Sequence, residues 1–494
     1  MTESLQGQEQ GQKTDANDVE VPGIFIGAPV SVRGLQSAAE YNGCKGTVTA
    51  GPWDNGRYEV TVVKEGDKEA KVLALKPANF QLDVESLREY VLQKRAERPK
   101  RQPAIENTEL LWKKGKGLSA KGLAVNTSEV AQLEEDHVLL RVDKFSFSQM
   151  SLGYLMKGYT RSFSAYHDFF KYPEEGFYRS ACWGYATVVE SAYPKVPVGT
   201  RLYGLMPPSQ YHHQKILRMI PPGKNGEPAL VELAMDGMPY NMRRFQEYEV
   251  VGQEDSNMED WRIATHEIYT MAFYMDEQLL VDTGQINSVI ISCASSKTAM
   301  ALAYCLRMRG GVSIEREMSC VVGLTSKEHL EFVQSTQLYH EVYTYEDVEK
   351  LPNDKTIVYM DFKCDGAIRQ AITLRMGTNL MYNMVLGPAV FQKKMKDQLF
   401  EKRAREVLFD ESTWRERRRM VAEVTKTGRN EKLRYSYKAF VERMQTHIKL
   451  RHVCDPDGIR DMYDAVYSNT ASPSEAFVCS LHPNEFAVEQ IWAE

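Results

Sequence analysis

The most informative pattern of hydrophobic and polar positions lies between residues 287 and 326. A short β-branched run at 288–292 suits a buried parallel strand, and apolar residues recur at helical spacing over 298–309. Val321 and Val322 then open a second buried run. A strand, a turn, a helix and a strand in this order predict the first βαβ unit of a nucleotide-binding sheet.

Strands and helices continue to alternate after this unit. The pattern predicts helices at 328–334 and 367–376, and strands at 341–345, 356–361 and 379–386. Alternation at this spacing is typical of a parallel, doubly wound sheet. The basic segment that follows is expected to be mostly helical, with Trp414, Phe440 and Tyr463 in its core.

The N-terminal half has the short period-two pattern of β-strands instead. Turn signals at Asn42-Gly43 and Asn55-Gly56 indicate a small, strongly bent barrel whose layout resembles SH3-like barrels. The predicted division of the chain is a disordered tail (1–20), an SH3-like β-barrel (22–83), a basic helix or linker (84–104), a β domain (105–258), a nucleotide-binding domain (259–390) and a mostly helical extension (391–494).

Composition adds little to this α/β picture. The chain is 43% hydrophobic and 26% charged, as in ordinary soluble globular proteins, and its net charge of −6 gives no overall attraction to nucleic acid. The eight cysteines show no CxxC pair and no zinc-site spacing, which is typical of reduced thiols in an intracellular protein. We find no secretory signal and no membrane-spanning apolar run, so a cytoplasmic location without membrane contact is expected.

The turn of the first βαβ unit is the candidate binding site. It reads Ser292-Cys293-Ala294-Ser295-Ser296-Lys297-Thr298, where glycines usually let the backbone approach a pyrophosphate. Small side chains preserve most of that room, the hydroxyls add donors, and Lys297 adds a positive charge. The turn therefore predicts an anion site, and the alternative is an ordinary helix start with Ser295 or Ser296 as the N-cap.

Several short segments accompany this turn. They are residues 145–158, Trp183-Gly184, Val198-Gly199, Arg201 to Gly204, Pro207, residues 322–326, residues 342–345 and Lys402-Arg403. Together with the β domain before the sheet, they resemble the medium-chain dehydrogenase/reductase superfamily in its zinc-independent quinone and enoyl reductase branch. More closely, the chain is similar to a related family of unknown function that shares the turn S-x-A-S-S-K-T-A.

The resemblance covers roughly residues 109–481 and implies a GroES-like β domain followed by a Rossmann sheet. The nicotinamide of a dinucleotide would then lie in the cleft between the two, at the carboxyl ends of the strands. Residues of the turn would contact the pyrophosphate, and two residues at later strand ends are further candidates for cofactor contact. The set comprises Ser292, Ala294, Ser295, Ser296, Lys297 and Thr298 in the turn, with Tyr345 and Asp361 beyond it.

The end of the second strand bears on which dinucleotide binds. Thr325-Ser326-Lys327 has no carboxylate to repel a 2′-phosphate, and it offers two hydroxyls and an ammonium to bind one. NADPH is therefore the expected cofactor. The alternative is that Lys327 only begins a surface helix.

Candidate catalytic residues follow from the same resemblance. The β domain lacks the Cys/His/Glu set of zinc dehydrogenases, so metal catalysis is not expected. A reductase without zinc needs a cofactor hydride and a proton source, often a tyrosine. Tyr154, Tyr159 and Ser151 are the candidates, and the alternative for both tyrosines is a packing role.

These expectations lead to an NADPH-dependent reductase of a carbonyl or an activated alkene, acting on a small molecule. A first alternative is a catalytically inactive reductase-like scaffold whose N-terminal barrel docks a protein partner. A second is a nucleic-acid platform, since residues 391–452 carry 18 Lys or Arg against 9 Asp or Glu. Members of this superfamily often pair their sheets edge to edge, so a homodimer is a further expectation left undecided by the sequence.

Overall fold

The structure, a computed structural model, describes residues 28–50, 55–64, 66, 69–83, 85–86, 104–114, 116, 119–158, 169–170, 172, 174–223, 228–234, 245–252, 255–283, 288–308, 320–386, 405–408, 429–483 and 485–486. The chain divides into two compact units, residues 1–102 and 103–494. No helix in the described ranges is long and apolar enough to cross a membrane.

The first unit is a five-stranded antiparallel sheet. Its strands are β1 (Pro29–Val32), β2 (Lys45–Ala50), β3 (Tyr58–Val62), β4 (Lys71–Leu75) and β5 (Phe80–Leu82), in the order β4-β3-β2-β1-β5. Alternate residues such as Val30, Val48 and Val60 point into its core. Gly43 and Gly56 have positive φ, as the predicted Asn-Gly turns require. The SH3-like type of this sheet stays a prediction.

The second unit begins with a mainly β region. Its elements are β6 (Glu106–Lys113), β7 (Leu123–Glu129), β8 (His137–Ser146), α1 (Gln149–Gly158), β9 (Phe177–Tyr178), β10 (Cys182–Ser191), β11 (Arg201–Met206), β12 (Tyr211–Ile220), β13 (Leu230–Leu233) and β14 (Glu247–Val251). Six strands run in the order β10-β11-β14-β13-β12-β8, and β8 also pairs with β10. The six strands therefore close into a ring, while β7, β6 and β9 form a separate small sheet.

A long helix leads from this ring into the second half of the unit. It consists of α2 (Ser256–Trp261), a π-helical stretch (Arg262–His266) and α3 (Glu267–Thr283). Asp255 caps its start, because the carboxylate accepts a hydrogen bond from the Asn257 amide at 2.9 Å.

Alternating strands and helices then build a parallel sheet. They are β15 (Ser288–Ile291), α4 (Lys297–Met308), β16 (Cys320–Thr325), α5 (Leu330–Ser335), β17 (Glu341–Thr344), β18 (Ile357–Asp361), α6 (Gly366–Met376), β19 (Leu380–Val385) and β20 (Arg405–Leu408). The strand order is β17-β16-β15-β18-β19-β20. Counted from β15, this is 3-2-1-4-5-6, the doubly wound order of dinucleotide-binding sheets. The predicted α/β architecture is confirmed.

Both faces of this sheet are covered, as the apolar run of β15 predicts. Val289 and Ile291 pack into the core that contains α3 and α4, whereas Ile290 points to the core beside α6. Because successive side chains of a strand alternate between faces, a strand covered on both sides must be apolar throughout.

The C-terminal region departs from the prediction of a mostly helical extension. Helices α7 (Arg429–Met444) and α8 (Pro456–Tyr467) alternate with β21 (Lys449–Val453) and β22 (Glu475–Cys479), and β22 joins β8 at the ring. Each of the two strands is only five residues long, so the local sequence pattern does not reveal their pairing. Phe440 and Tyr463 are core residues as expected, and Trp414 lies outside the described residues.

Candidate functional site

The carboxyl ends of β15 and β18 form the switch point of the parallel sheet. The two strands are neighbours, yet the chain continues from β15 into α4 on one face and from β18 into α6 on the other. Divergence of this kind opens a crevice at the sheet edge, where ligands of such folds bind. The turn from Ser292 to Thr298 lies at this point.

Ser292 holds the two strand ends together. It is fully buried, its amide donates to the Met360 carbonyl at 3.1 Å, and its Oγ accepts hydrogen bonds from the amides of Phe362 at 2.9 Å and Lys363 at 3.0 Å. The hydroxyl that we expected at a pyrophosphate is therefore used inside the fold.

The next two residues of the turn are also tied to neighbouring elements. Cys293 adopts φ 51° and its amide donates to the Tyr345 hydroxyl at 2.9 Å. The Ala294 amide donates to the Leu324 carbonyl at 3.0 Å, and the Ala294 carbonyl accepts from the Tyr339 hydroxyl at 2.8 Å. Amides that face phosphates in glycine-rich turns thus have partners within this chain.

The second half of the turn is different. Ser296 is the N-cap, since its Oγ accepts a hydrogen bond from the Ala299 amide at 3.2 Å, as one of the two sequence interpretations expects. Ser295 Oγ lies 3.1 Å from His329 Nδ1, beyond the end of β16. In the part of the chain that the structure describes, the amides of Ser295, Lys297 and Thr298 have no hydrogen-bond partner. These three amides lie at the N-terminus of helix α4.

Lys297 adds a positive charge to the same helix end. Its ammonium makes no ion pair among the described residues. Burial lowers the pKa of Lys297 to about 8, and the charge of Glu475 opposes this shift only in part. A poorly solvated cation thus lies beside three amides that have no hydrogen-bond partner among the described residues. This arrangement at a helix N-terminus is suited to binding an anion.

The end of β16 lies against the turn. Thr325 is buried and its Oγ1 has no hydrogen-bond partner among the described residues. Ser326 is half-buried, while Lys327 is exposed and begins a 3₁₀ turn (Lys327–His329). The unpaired Thr325 hydroxyl could bond a ligand that carries hydroxyl or phosphate groups. The contact of Lys327 with a 2′-phosphate stays a prediction.

Asp361 anchors the loop after β18 from inside. Its Oδ2 accepts from Arg369 Nε at 2.5 Å, and its Oδ1 accepts from the Cys364 amide at 2.8 Å and the Tyr359 hydroxyl at 3.1 Å. Both Asp361 and Arg369 are buried. The carboxylate expected at the cofactor is therefore engaged within the protein.

Two of the predicted catalytic residues also have internal partners. The Tyr154 hydroxyl accepts a hydrogen bond from Trp183 Nε1 at 3.2 Å, and Ser151 Oγ donates to the Ser146 carbonyl at 3.3 Å. Both residues are buried on α1, and Tyr159 lies outside the described residues. Their catalytic roles stay predictions. No group of three or more His, Cys, Asp or Glu side chains within the described ranges is placed to hold a metal ion.

The sequence interpretation missed a polar cluster where the ring meets the long helix. His266 Nδ1 lies 3.3 Å from Glu267 Oε1, and the His266 ring stands edge-on to Tyr203 and Tyr437 at centroid distances of 6.1 and 5.0 Å. The Arg262 guanidinium lies 4.1 Å above the Tyr203 ring. The available signal was a His-Glu pair inside an otherwise apolar helical stretch before the first strand.

The strand order, the helix-opening turn at the switch point and the ring of strands define a two-part α/β protein of dinucleotide-binding architecture. Its sequence belongs to the family described as protein of unknown function (DUF2855), whose model matches residues 145–472. The membership of a family of unknown function predicted from the S-x-A-S-S-K-T-A turn is thus confirmed.

Solved structures resemble the chain only distantly. CurA from Vibrio vulnificus in complex with NADPH is 12% identical, with 76% of this chain and 99% of that chain covered and a TM-score of 0.48. The quinone oxidoreductase from Coxiella burnetii is 10% identical, with 76% and 100% covered and a TM-score of 0.45. No curated protein matches the sequence. Likeness at this level carries no argument about function, which must come from the residues of the chain.

Proposed function

We propose that the protein is an NADPH-dependent oxidoreductase that reduces a carbonyl group or an activated alkene of a small molecule. The observation that carries the proposal concerns the N-terminus of α4. Four groups there have no partner among the described residues: the amides of Ser295, Lys297 and Thr298, and the Lys297 ammonium. These groups lie at the switch point of a sheet with the order 3-2-1-4-5-6.

Each part of the dinucleotide has a counterpart in this arrangement. The three amides and Lys297 would bind the pyrophosphate. The buried Thr325 hydroxyl would bond a ribose hydroxyl, and Ser326 with Lys327 would hold the 2′-phosphate of NADPH. The bound cofactor would supply the hydride, while the protein binds, orients and protonates the substrate.

The finer assignments belong to the same proposal. The ring of six strands is assigned as GroES-like and the first unit as an SH3-like barrel that docks a protein partner. Catalysis is assigned as zinc-independent, in a cytoplasmic protein that forms a homodimer. The SH3-like assignment rests on the turn pattern of residues 22–83, the cytoplasmic location on the cysteine pattern, and the other assignments on the resemblance of the sequence segments given above.

Titration of the full-length protein with NADPH tests the proposal. We expect saturable quenching of tryptophan fluorescence and an unfolding midpoint that rises with cofactor concentration, with a smaller effect of NADH. Consumption of NADPH with aldehydes, quinones and enones then tests turnover. If millimolar NADPH changes neither the fluorescence nor the unfolding midpoint, the proposal is wrong.

One observation favours a second candidate, a reductase-like binding protein without turnover. The amides of Ser292, Cys293 and Ala294 are bonded within the chain, so the turn offers a cofactor fewer donors than a glycine-rich turn does. That candidate predicts NADPH binding without oxidation by any carbonyl or enone acceptor.

A further inference from the structure

The π-helical stretch Arg262–His266 interrupts the long helix where it passes the ring of strands. The widened turn is held by side chains, because the Trp261 carbonyl accepts hydrogen bonds from Thr265 Oγ1 at 2.7 Å and from the Tyr437 hydroxyl at 3.0 Å. Short π-helical segments inside α-helices are rare and frequently mark functional sites. This one places Arg262 and His266 beside the same ring, Tyr203.

His266 and Glu267 form a pair suited to proton transfer. His266 Nδ1 lies 3.3 Å from Glu267 Oε1, and the side chains are 22% and 9% exposed, respectively. A carboxylate at Nδ1 fixes the orientation of an imidazole. The second ring nitrogen of His266 has no partner among the described residues, so it is available to a ligand.

Tyr203 presents a donor without an acceptor. Its side chain is buried, with a residue exposure of 4%, and its hydroxyl has no hydrogen-bond partner in the described part of the chain. Burial, reinforced by the negative charge of Glu267, raises the pKa of Tyr203, so the phenol stays protonated. A buried hydroxyl of this kind is costly unless a ligand accepts its hydrogen bond.

The cluster belongs to the same edge of the sheet as the turn at Ser292. Helix α4 follows β15 directly, whereas Asp282 near the end of α3 accepts a hydrogen bond from the Tyr382 hydroxyl near the start of β19 at 2.8 Å, at the opposite, amino edge of the sheet. Both helices therefore begin at the carboxyl edge of β15. Their packing is direct, since the rings of Tyr269 on α3 and Tyr304 on α4 are 6.3 Å apart. Thr270, one turn beyond His266, adds a second buried hydroxyl without a partner in the described ranges.

We propose that Tyr203 and His266 are catalytic residues that bind and protonate the carbonyl oxygen of the substrate, with Glu267 as a positioning residue. This inference rests on the proposed reductase function. The carbonyl carbon would accept the hydride that bound NADPH supplies, and the C=O π pair would move to oxygen. The Tyr203 hydroxyl donates a hydrogen bond to that oxygen, and His266 transfers its proton to it. The products are an alcohol and NADP⁺, and His266 regains a proton from water.

Charged and aromatic groups from several elements surround His266. Glu267 and Arg262 lie on its own helix, Tyr203 faces it from β11, Tyr437 from α7, and Arg262 is in turn paired with Glu249 on β14 at 2.7 Å. Glu249 partly offsets the positive charge of Arg262. Glu267 is the carboxylate in direct contact with the His266 ring. Glu267 is therefore placed to orient the imidazole of His266.

The test uses the full-length protein, NADPH and para-nitrobenzaldehyde as the carbonyl probe. Tyr203→Phe and His266→Gln should each lower kcat by about 100-fold, the usual contribution of a general acid, and leave the Kd of NADPH unchanged. Glu267→Gln should lower kcat by less than His266→Gln does and leave the KM of the aldehyde unchanged, a split that a merely structural role would not give. Tyr203→Phe should keep the parental unfolding midpoint, because it removes a hydroxyl without a protein partner.

Two matched variants serve as controls. Tyr435→Phe, at an exposed tyrosine of α7, and His447→Gln, at a half-buried histidine beyond it, should keep the parental rate. Parental kcat in both Tyr203→Phe and His266→Gln would overturn the inference, as would a parent that binds NADPH and leaves the aldehyde unreduced. A parent that fails to bind NADPH would instead remove the proposed function, a result that the titration distinguishes.

Discussion

The hydroxyl of Tyr345 accepts a hydrogen bond from the backbone amide of Cys293 at 2.9 Å. The contact joins the loop after β17 to the turn after β15, at a residue that adopts the left-handed φ of 51°. Such a conformation favours glycine, and a cysteine there needs support from its surroundings. The tyrosine hydroxyl supplies that support at a point where other nucleotide-binding turns have glycine.

Tyr345→Phe should therefore destabilise the protein. It leaves the Cys293 amide without its acceptor, which we expect to lower the free energy of unfolding by about 1–2 kcal/mol. Urea denaturation measures this loss. Tyr343→Phe is the matched control, since the Tyr343 hydroxyl bonds the side chain of Glu341 in an exposed pair. Equal stability losses in the two variants would contradict the role given to Tyr345.

Asp361→Asn tests whether the Asp361 carboxylate stabilises the fold or contacts the cofactor. Asn keeps the size of the side chain but removes the carboxylate that accepts from the buried guanidinium of Arg369, so the free energy of unfolding should fall by about 3 kcal/mol. Asp365→Ala, which removes the N-cap of α6, should cost about 1 kcal/mol and is the comparison variant. A variant Asp361→Asn with parental stability and weakened NADPH binding would restore the cofactor role.

Much of the parallel sheet could be predicted because its signals are local. The run at 357–361 is apolar on both faces, and the structure has β18 at Ile357–Asp361. Strand β22 (Glu475–Cys479) shows what local reading misses. It pairs with β21 along all five of its residues and meets β8, more than 300 residues earlier in the chain, at Cys479. Neither its length nor its composition indicates these partners.

The site was predictable in position and less so in detail. The turn at Ser292 follows from periodicity, and its place at the switch point is as expected. Which hydroxyls are free depends on contacts between distant residues, as with Ser292 Oγ and the amide of Lys363. Sequence alone gives no sign that Ser292 is used internally, or that the hydroxyl of Tyr203 is not.

Lys327→Ala tests the choice between the two dinucleotides. Loss of one charge-assisted contact to the 2′-phosphate should weaken NADPH binding by about 1.5–3 kcal/mol, roughly 10- to 150-fold, with little effect on NADH. Fluorescence titration with both cofactors measures the difference. Lys350→Ala, at an exposed lysine that pairs with Asp347, is the control and should change neither affinity. Equal affinities of the parent for NADPH and NADH would remove the argument for NADPH.

The pKa of Lys297, lowered to about 8, makes cofactor affinity depend on pH. If only the protonated ammonium binds the pyrophosphate, the Kd of NADPH should rise about tenfold between pH 7 and pH 9, and the Kd of NADH should rise equally. Rising pH has the opposite effect on the stability of the fold. A lysine whose pKa is lowered by folding binds fewer protons in the folded than in the unfolded state, so its contribution to stability grows from pH 8 to about pH 10.5. Lys297→Met should abolish both trends and weaken the two cofactors alike, which titrations and urea denaturation across this range measure. A parental Kd that stays constant from pH 7 to pH 9 would exclude Lys297 from the binding site.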